Sequence, residues 1–132
     1  RNFKRSVPEA PNWSRDKFTL VPVPLHWVRR NLRGFNQVEE VGKILAALMA
    51  WEIKPLLVRK KLVKSQVGLK EKERKKNIKD AFEVNAAYSL SPSPYPLILF
   101  DDVWTTGSTI REAARVLKKA GFQKVWCLTL AR

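Results

Sequence analysis

The 132-residue chain has very few of the side chains that cross-link small domains or bind transition metals. Its one cysteine is Cys127 and its one histidine is His26. A disulfide framework and a multi-cysteine zinc site within the chain are therefore excluded. Cys127 lies in an apolar stretch near the C-terminus, which is more typical of a buried packing residue than of a nucleophile.

Long apolar segments are also missing. No apolar run approaches the ~20 residues of a membrane-spanning helix, and no apolar core follows the polar, basic N-terminus, as it would in a secretion signal. These absences predict a cytoplasmic protein without a membrane partner. The glycine patterns GxxxxGKS/T and GxGxxG are absent as well. The chain therefore lacks the phosphate loop of NTPases, and dinucleotide binding has no support.

Positive charge is what the sequence has in excess. Lys and Arg number 26 against 12 Asp and Glu, a net charge of +14, which favours polyanions such as nucleic acid, acidic lipid or a phosphorylated small molecule. Ten basic and two acidic residues lie within residues 59–79, so this segment alone carries +8. Its apolar residues are too sparse to cover a core. Taken alone, the segment is typical of a solvated helix or loop that keeps a protein soluble.

The chain divides into an arm and one domain. Residues 1–18 contain two prolines and show no periodicity, which predicts an extended N-terminal arm. Because the chain begins at Arg1, we expect the arm to be the remnant of a truncated N-terminal region. Residues 19–132 are typical of a single domain. It opens with an apolar strand at 18–23, and a helix that Asn36 caps follows, with apolar residues at helical spacing.

Strands and helices alternate through the rest of the chain. Short strands are predicted at 56–58 and 81–84. The continuous apolar run at 97–100 is typical of a strand buried on both faces of a parallel sheet. A helix with an apolar face over 110–117 and a strand at 124–130 complete a βαβ unit. The sequence therefore predicts a single-domain α/β/α sandwich with a mostly parallel sheet.

The loop after the buried strand carries the clearest chemical signal. Two carboxylates end the strand, and a hydroxyl-rich loop leads from them into a helix: Asp101 and Asp102, then Thr105, Thr106, Gly107, Ser108 and Thr109. A helix N-terminus binds phosphate, and carboxylates accept hydrogen bonds from ribose hydroxyls, so the loop suits a sugar phosphate. The alternative is that one loop hydroxyl caps the helix while the two acids only solvate the surface.

These residues resemble a known family. LILFDDVWTTGST is similar to the phosphoribosyl-pyrophosphate (PRPP) motif of type I phosphoribosyltransferases. Together with VPVPLHWVRRNLRGFNQ, SQVGLKEKERKKNIKDAFEV and the closing LTLAR, it resembles the ComF family of competence-associated phosphoribosyltransferase-like proteins. The resemblance covers residues 20–132 and implies the type I phosphoribosyltransferase fold. Two features depart from the family: Trp104 is larger than usual, and the N-terminal cysteine zinc cluster has no counterpart.

The resemblance implies a role for each part of the site. The ribose hydroxyls would be bound by Asp101 and Asp102, which would also hold Mg²⁺ indirectly through PRPP. The 5′-phosphate would be bound by Thr105, Thr106, Gly107, Ser108 and Thr109. The pyrophosphate loop would comprise Val23, Pro24, Leu25, His26 and Arg33. The basic segment 59–79 would be a mobile lid, with Arg59, Lys60 and Arg74 as its catalytic residues.

The implied function is Mg²⁺-dependent transfer of phosphoribosyl from PRPP to an unidentified acceptor, with release of pyrophosphate and in association with competence and DNA uptake. Two alternatives stay open: a non-catalytic PRPP-binding module, and an accessory protein that binds single-stranded DNA through its basic, aromatic-bearing loops. The implied partners are PRPP or a ribose phosphate, single-stranded DNA and a competence helicase. Assembly into a homo-oligomer also stays open.

Overall fold

A parallel β-sheet lies at the centre of the protein. The computed structural model describes residues 11–24, 37–60, 81–88, 95–104 and 106–131. In chain order, the elements in these ranges are β1 (Thr19–Pro22), α1 (Gln37–Met49), β2 (Glu52–Ile53), β3 (Leu57–Arg59), β4 (Phe82–Val84), a 3₁₀ turn (Ala86–Tyr88), β5 (Leu97–Val103), α2 (Ser108–Lys119) and β6 (Val125–Ala131). Four of the strands form one sheet in the order β2-β1-β5-β6, and all neighbours in it run parallel.

The sheet is organised around β5, which lies between β1 and β6. Its first four residues, Leu97 to Phe100, have no solvent exposure. Thr19 pairs with Leu97 and Pro22 with Phe100 on one side, and Val125 pairs with Leu97 on the other. The predicted strand buried on both faces, and the predicted parallel βαβ unit, are confirmed. β5 is longer than predicted, because it continues through Asp101 and Asp102 to Val103.

Among the described elements, α2 lies on one face of the sheet and α1 on the other. Leu97 and Leu99 belong to a buried cluster with the apolar side of α2, formed by Ile110, Ala113 and Leu117. On the opposite face, Ile98 and Phe100 cluster with Val38 and Ala46 of α1. Alternate residues of a strand point to opposite faces, so one apolar run serves both layers. The predicted α/β/α arrangement is confirmed.

The strands β3 and β4 form a separate antiparallel pair beside α2. Arg59 pairs with Phe82, and Leu57 pairs with Val84. Leu57 and Phe82 are buried in the same cluster as the inner side of α2. The pair is therefore anchored to the core, and it holds together the two points where residues 61–80 leave and rejoin the described chain.

The N-terminal arm differs from its prediction. Residues 12–16 form a turn in which the Asn12 side chain accepts from the backbone N–H of Arg15 (3.2 Å) and Asp16 accepts from the N–H of Asn12 (2.9 Å). The Trp13 ring stacks on Phe18, with centroids 5.3 Å apart, and meets the edge of Trp126 at 6.1 Å. The prediction of an extended arm is therefore wrong for these residues, because aromatic contacts fold the chain back on the core. Residues 1–10 lie outside the described part.

Two further features were not expected. The short strand β2 has no counterpart in the predicted elements. Cys127, expected to be buried, is exposed, because β6 is an edge strand that pairs only with β5 in the described sheet. Within the described ranges, no helix combines the length and the hydropathy needed to cross a membrane.

Replacement of Leu99 should be far more costly than the same change at an exposed site. Leu99 has no solvent exposure, whereas Leu48 on α1 is 78% exposed. We expect Leu99→Ala to lower the free energy of unfolding by about 2–5 kcal/mol and Leu48→Ala to change it by less than about 0.5 kcal/mol. Urea unfolding followed by circular dichroism measures both. Equal costs for the two variants would contradict the burial of β5.

Candidate functional site

The carboxyl ends of β1 and β5 lie side by side. The backbone N–H of Val23, just beyond β1, donates to the carbonyl oxygen of Phe100 at 2.9 Å. Val23 and Pro24 therefore follow β1 next to the point where Asp101 follows Phe100. In open parallel sheets, ligands bind beyond this end of the strands. The edge of the sheet is the natural place for a site.

Asp101 and Asp102 are both half-buried in the last part of β5. The regular pairing of Asp101 with Thr129 and of Val103 with Ala131 keeps the strand alternation. Asp101 is thus on the α2 face and Asp102 on the α1 face. The backbone N–H of Asp102 donates to Oδ1 of Asp101 at 2.8 Å. The two acids are not simple surface groups, because each leaves a central strand at a partly covered edge.

The environment of Asp101 raises its pKa from the ordinary 3.8 to about 6. Burial is the main cause, and the neighbouring Asp102 carboxyl raises the pKa further. The backbone N–H of Asp102 and the positive charge of Arg59 act in the opposite direction. A carboxylate in this state still accepts hydrogen bonds at neutral pH, and a cationic or hydroxyl-bearing ligand would relieve part of its desolvation.

The loop before α2 has a defined backbone geometry. Gly107 is the N-cap residue of α2 and has the left-handed conformation (φ 78°, ψ 0°). The hydroxyls of Thr106 and Ser108 are hydrogen-bonded at 2.8 Å, and Thr106 Oγ1 also accepts from the Ser108 N–H at 3.3 Å. Ser108 and Thr109 lie inside the helix, so the interpretation of either as its capping residue is wrong. The loop ends at a helix N-terminus, where backbone N–H groups lack partners within the helix.

Trp104 packs beneath this loop. Its indole lies so close to Gly107 that a Cβ built at position 107 would be 2.6 Å from Cζ2 of the ring. The guanidinium carbon of Arg111 lies 5.9 Å from the ring centroid. The indole also packs against the buried cluster on the α2 face. The contacts of the ring with the described residues are those of a packing side chain.

Arg59 approaches the same edge from the hairpin. It ends β3 and is half-buried, with its guanidinium carbon 5.2 Å from the centroid of the Phe82 ring. Its positive charge lowers the pKa of Asp101. Lys60 is exposed, and its backbone N–H donates to the Ala81 carbonyl at 2.7 Å. The basic segment therefore starts from a closed hairpin base.

The structure thus gathers part of the predicted site. On or next to the edge formed by the ends of β1 and β5 are Val23, Pro24, Arg59, Asp101, Asp102, Thr106, Gly107, Ser108 and Thr109. Outside the described residues are Leu25, His26, Arg33, Arg74, Thr105 and most of the predicted lid at 59–79. The contacts of Gly107 with Trp104 and of Arg59 with Phe82 were not predicted. A glycine three residues after a tryptophan is the only trace of the first contact in the sequence, and the second left none.

The described residues include no group of three or more Asp, Glu, His or Cys side chains that could hold a metal ion. The neighbouring carboxyls of Asp101 and Asp102 are hard oxygen donors. Mg²⁺ is commonly held by one or two carboxylates, several waters and the phosphates of a substrate. The donor set fits a magnesium ion that arrives with a phosphorylated ligand and does not resemble a closed protein site.

Stability should depend on pH through Asp101. Its folded-state pKa of about 6 exceeds the ordinary 3.8, so the folded protein binds more protons than the unfolded chain between these values. Its contribution to stability is therefore present below about pH 4 and is lost as pH rises through 6.

Asp101→Asn removes this dependence and keeps an oxygen for the Asp102 N–H. We expect the melting temperature to rise by about 2–4 °C at pH 7.5, with a smaller rise at pH 4. Calorimetry with the exposed Glu83→Gln as control tests this; equal shifts at both pH values would contradict it.

Known proteins are similar to most or all of this chain. It is 36% identical over 134 residues to Competence protein F of Haemophilus influenzae, covering 100% of the chain and 54% of that protein. It is 35% identical over 114 residues to the DNA utilization protein YhgH of Escherichia coli K12, covering 83% of the chain and 48% of that protein. Competence protein ComFC of Streptococcus pneumoniae is 30% identical over 116 residues, covering 88% of the chain and 49% of that protein.

No protein-family model matches the sequence. The chain spans about half the length of the curated relatives that it matches. Similarity at this level, with relatives that carry the names Competence protein F and ComFC and over most or all of the chain, establishes the family. The chain belongs to the ComF family.

Proposed function

We propose that the protein binds PRPP, together with Mg²⁺, at the edge formed by the carboxyl ends of β1 and β5. One observation carries the proposal. A buried central strand ends in two half-buried carboxyls, and the next turn places a left-handed glycine at the N-terminus of α2. Carboxylates for ribose hydroxyls, near the end of β5, and a helix N-terminus for phosphate, after the loop, follow each other along the chain, as a ribose 5-phosphate requires.

In this proposal Asp101 and Asp102 accept hydrogen bonds from the 2′ and 3′ hydroxyls of ribose. The 5′-phosphate is held by the loop of Thr105, Thr106, Gly107, Ser108 and Thr109. The hydroxyls of Thr106 and Ser108 are hydrogen-bonded to each other, and each could instead donate to a phosphate oxygen. The first-turn N–H groups of α2 add a partial positive charge.

The pyrophosphate end of PRPP would face the cationic side of the site. Arg59 lies close enough to Asp101 to lower its pKa, and Lys60 and Arg74 belong to the adjoining basic segment. The turn of Val23, Pro24, Leu25 and His26, with Arg33 beyond it, would line the other side. Mg²⁺ bound to the phosphates would neutralise further negative charge.

The proposed reaction is transfer of the phosphoribosyl group. The bond between C1′ and the pyrophosphate oxygen breaks, the pyrophosphate leaves with the bonding electrons, and a nucleophilic acceptor forms the new bond at C1′. Positive charge develops on the ribose ring and negative charge on the leaving group, so Arg59, Lys60 and Arg74 would stabilise the latter. A lid formed by 59–79 would exclude water, which otherwise competes as acceptor.

A role in DNA utilization is proposed from the relatives. One group is named for competence and another for DNA utilization. The net charge of +14 suits a protein that works near a polyanion. The chain spans only about half the length of each relative. An acceptor, a helicase partner and assembly into a homo-oligomer are therefore proposals as well.

Calorimetric titration with Mg–PRPP tests the ligand. We expect wild-type protein to bind, and Asp101→Asn and Asp102→Asn each to weaken binding by about 10–100-fold, because a charge-assisted acceptor is lost. Glu83→Gln, a matched change at an exposed site, should bind like wild type. Asp101→Asn is expected to be more stable at neutral pH, so its loss of affinity would not reflect unfolding. Absence of binding by the wild type at millimolar PRPP would overturn the assignment.

A second candidate function, binding of single-stranded DNA, is favoured by the +8 carried on residues 59–79. Backbone contacts make such binding steeply dependent on salt, with a slope of about −0.7 per phosphate contact. A PRPP site instead requires the Asp pair and divalent metal. The two functions therefore separate on salt and chelator.

Fluorescence anisotropy with a labelled oligonucleotide measures this salt slope. If the segment contacts DNA, replacing Lys60, Lys61 and Lys64 with Gln should reduce the slope by about 2. The control replaces Lys118 and Lys119, exposed in the last turn of α2, and Lys124, exposed just before β6, and therefore carries the same net charge as the first triple variant. Equal reductions in both triple variants would exclude a specific DNA contact by the segment.

A further inference from the structure

The indole of Trp104 occupies the space that a side chain at position 107 would need. A Cβ at position 107 would stand 2.6 Å from Cζ2, 3.0 Å from Cε2 and 3.2 Å from Cη2 of the indole. The backbone of the loop thus lies directly on the benzene side of the ring. Only a residue without a side chain fits there, and the ring supports the loop at the point where the backbone turns.

Trp104 is itself held firmly. Its backbone N–H donates to the Ala131 carbonyl at 2.9 Å, which extends the pairing of β5 with β6 by one bond. Its indole packs against the buried cluster that includes Val21 and Ile110. The guanidinium carbon of Arg111 lies 5.9 Å from the ring centroid, and the Arg111 N–H donates to the Gly107 carbonyl at 2.9 Å. The ring therefore joins the sheet, the loop and the first turn of α2.

We infer that Trp104 is a positioning residue, which fixes residues 106–109 in a phosphate-binding shape before a ligand arrives. The inference rests on the proposed function of that loop. Trp104 acts through Gly107: it does not touch the phosphate, but it defines where the backbone N–H groups at the start of α2 point. A preformed loop loses less conformational entropy on binding.

Gly107 has two separable reasons for being glycine, which makes the inference measurable. Its φ of 78° disfavours any residue with a Cβ, by about tenfold in population. The indole adds a steric clash that is independent of φ. Removal of the ring abolishes the second penalty and leaves the first. Gly107→Ala should therefore be less harmful in a protein that lacks the ring.

A double-mutant cycle on Mg–PRPP affinity tests this coupling. We expect Gly107→Ala to weaken binding by about 100-fold or more and Trp104→Leu by about tenfold. In the Trp104→Leu background, Gly107→Ala should cost only about a further tenfold, the penalty of its φ. Trp104→Phe retains a ring at the contact and should stay within about threefold of wild type.

The matched control is Trp126→Leu, because Trp126 is also half-buried but packs on the α1 face of the sheet. In that background, Gly107→Ala should keep its full penalty of about 100-fold. Thermal unfolding of each variant establishes that it is folded at the assay temperature. If Gly107→Ala costs the same in the wild-type, Trp104→Leu and Trp126→Leu backgrounds, Trp104 does not position the loop.

Hydrogen exchange provides a reading that needs no ligand. The backbone N–H groups of residues 106–109 should exchange at least about tenfold faster in Trp104→Leu and at wild-type rates in Trp126→Leu. Unchanged exchange in Trp104→Leu would overturn the inference even if PRPP binds. Absence of PRPP binding by the wild type would overturn the proposed function, while the exchange rates would still decide whether the ring holds the loop.

Discussion

Burial of β5 on both faces is the constraint on which the rest of the molecule depends. Leu97 and Leu99 pack against one helix layer, and Ile98 and Phe100 pack against the other. A shift of either layer would therefore expose the strand residues that it covers. The same strand carries Asp101 and Asp102 to the sheet edge. Core packing thus fixes the position of the carboxyls, and a site on a rigid strand is held more precisely than one on a free loop.

At the edge of the sheet, one acid is buried at a cost in free energy, while an indole supports the neighbouring loop. Burial of Asp101 opposes its ionisation, and Arg59 offsets only part of that effect. Trp104, by contrast, adds apolar contact under the adjoining loop. A buried acid that is costly to ionise and a loop that its neighbours hold in one conformation are both expected at a ligand-binding site. Such unfavourable features persist only when the surrounding structure holds them in place.

The sequence predicts the layers well, because periodicity reports which faces are apolar: β5, α1 and α2 were expected within a few residues. It misses what depends on neighbours. β2 has two residues, too few for a pattern, and the apolar composition of β6 does not reveal that Cys127 lies on an edge. Asp101, Asp102 and Gly107 stood out through composition and order along one loop. The closeness of Arg59 to Asp101, and of the indole to Gly107, arises from tertiary packing between elements and from side-chain placement, which no local pattern encodes.

The closed hairpin base also limits where the positive charge can go. Arg59 and Phe82 pair across β3 and β4, so the intervening residues form a loop with both ends at one place. At ~3.5 Å per residue, even a fully stretched loop of this length reaches only about 40 Å from its base. The excess charge is thereby tethered: whichever conformation the segment adopts, its cations remain within that radius of the hairpin base, and an anion held near that base meets them at a raised effective concentration.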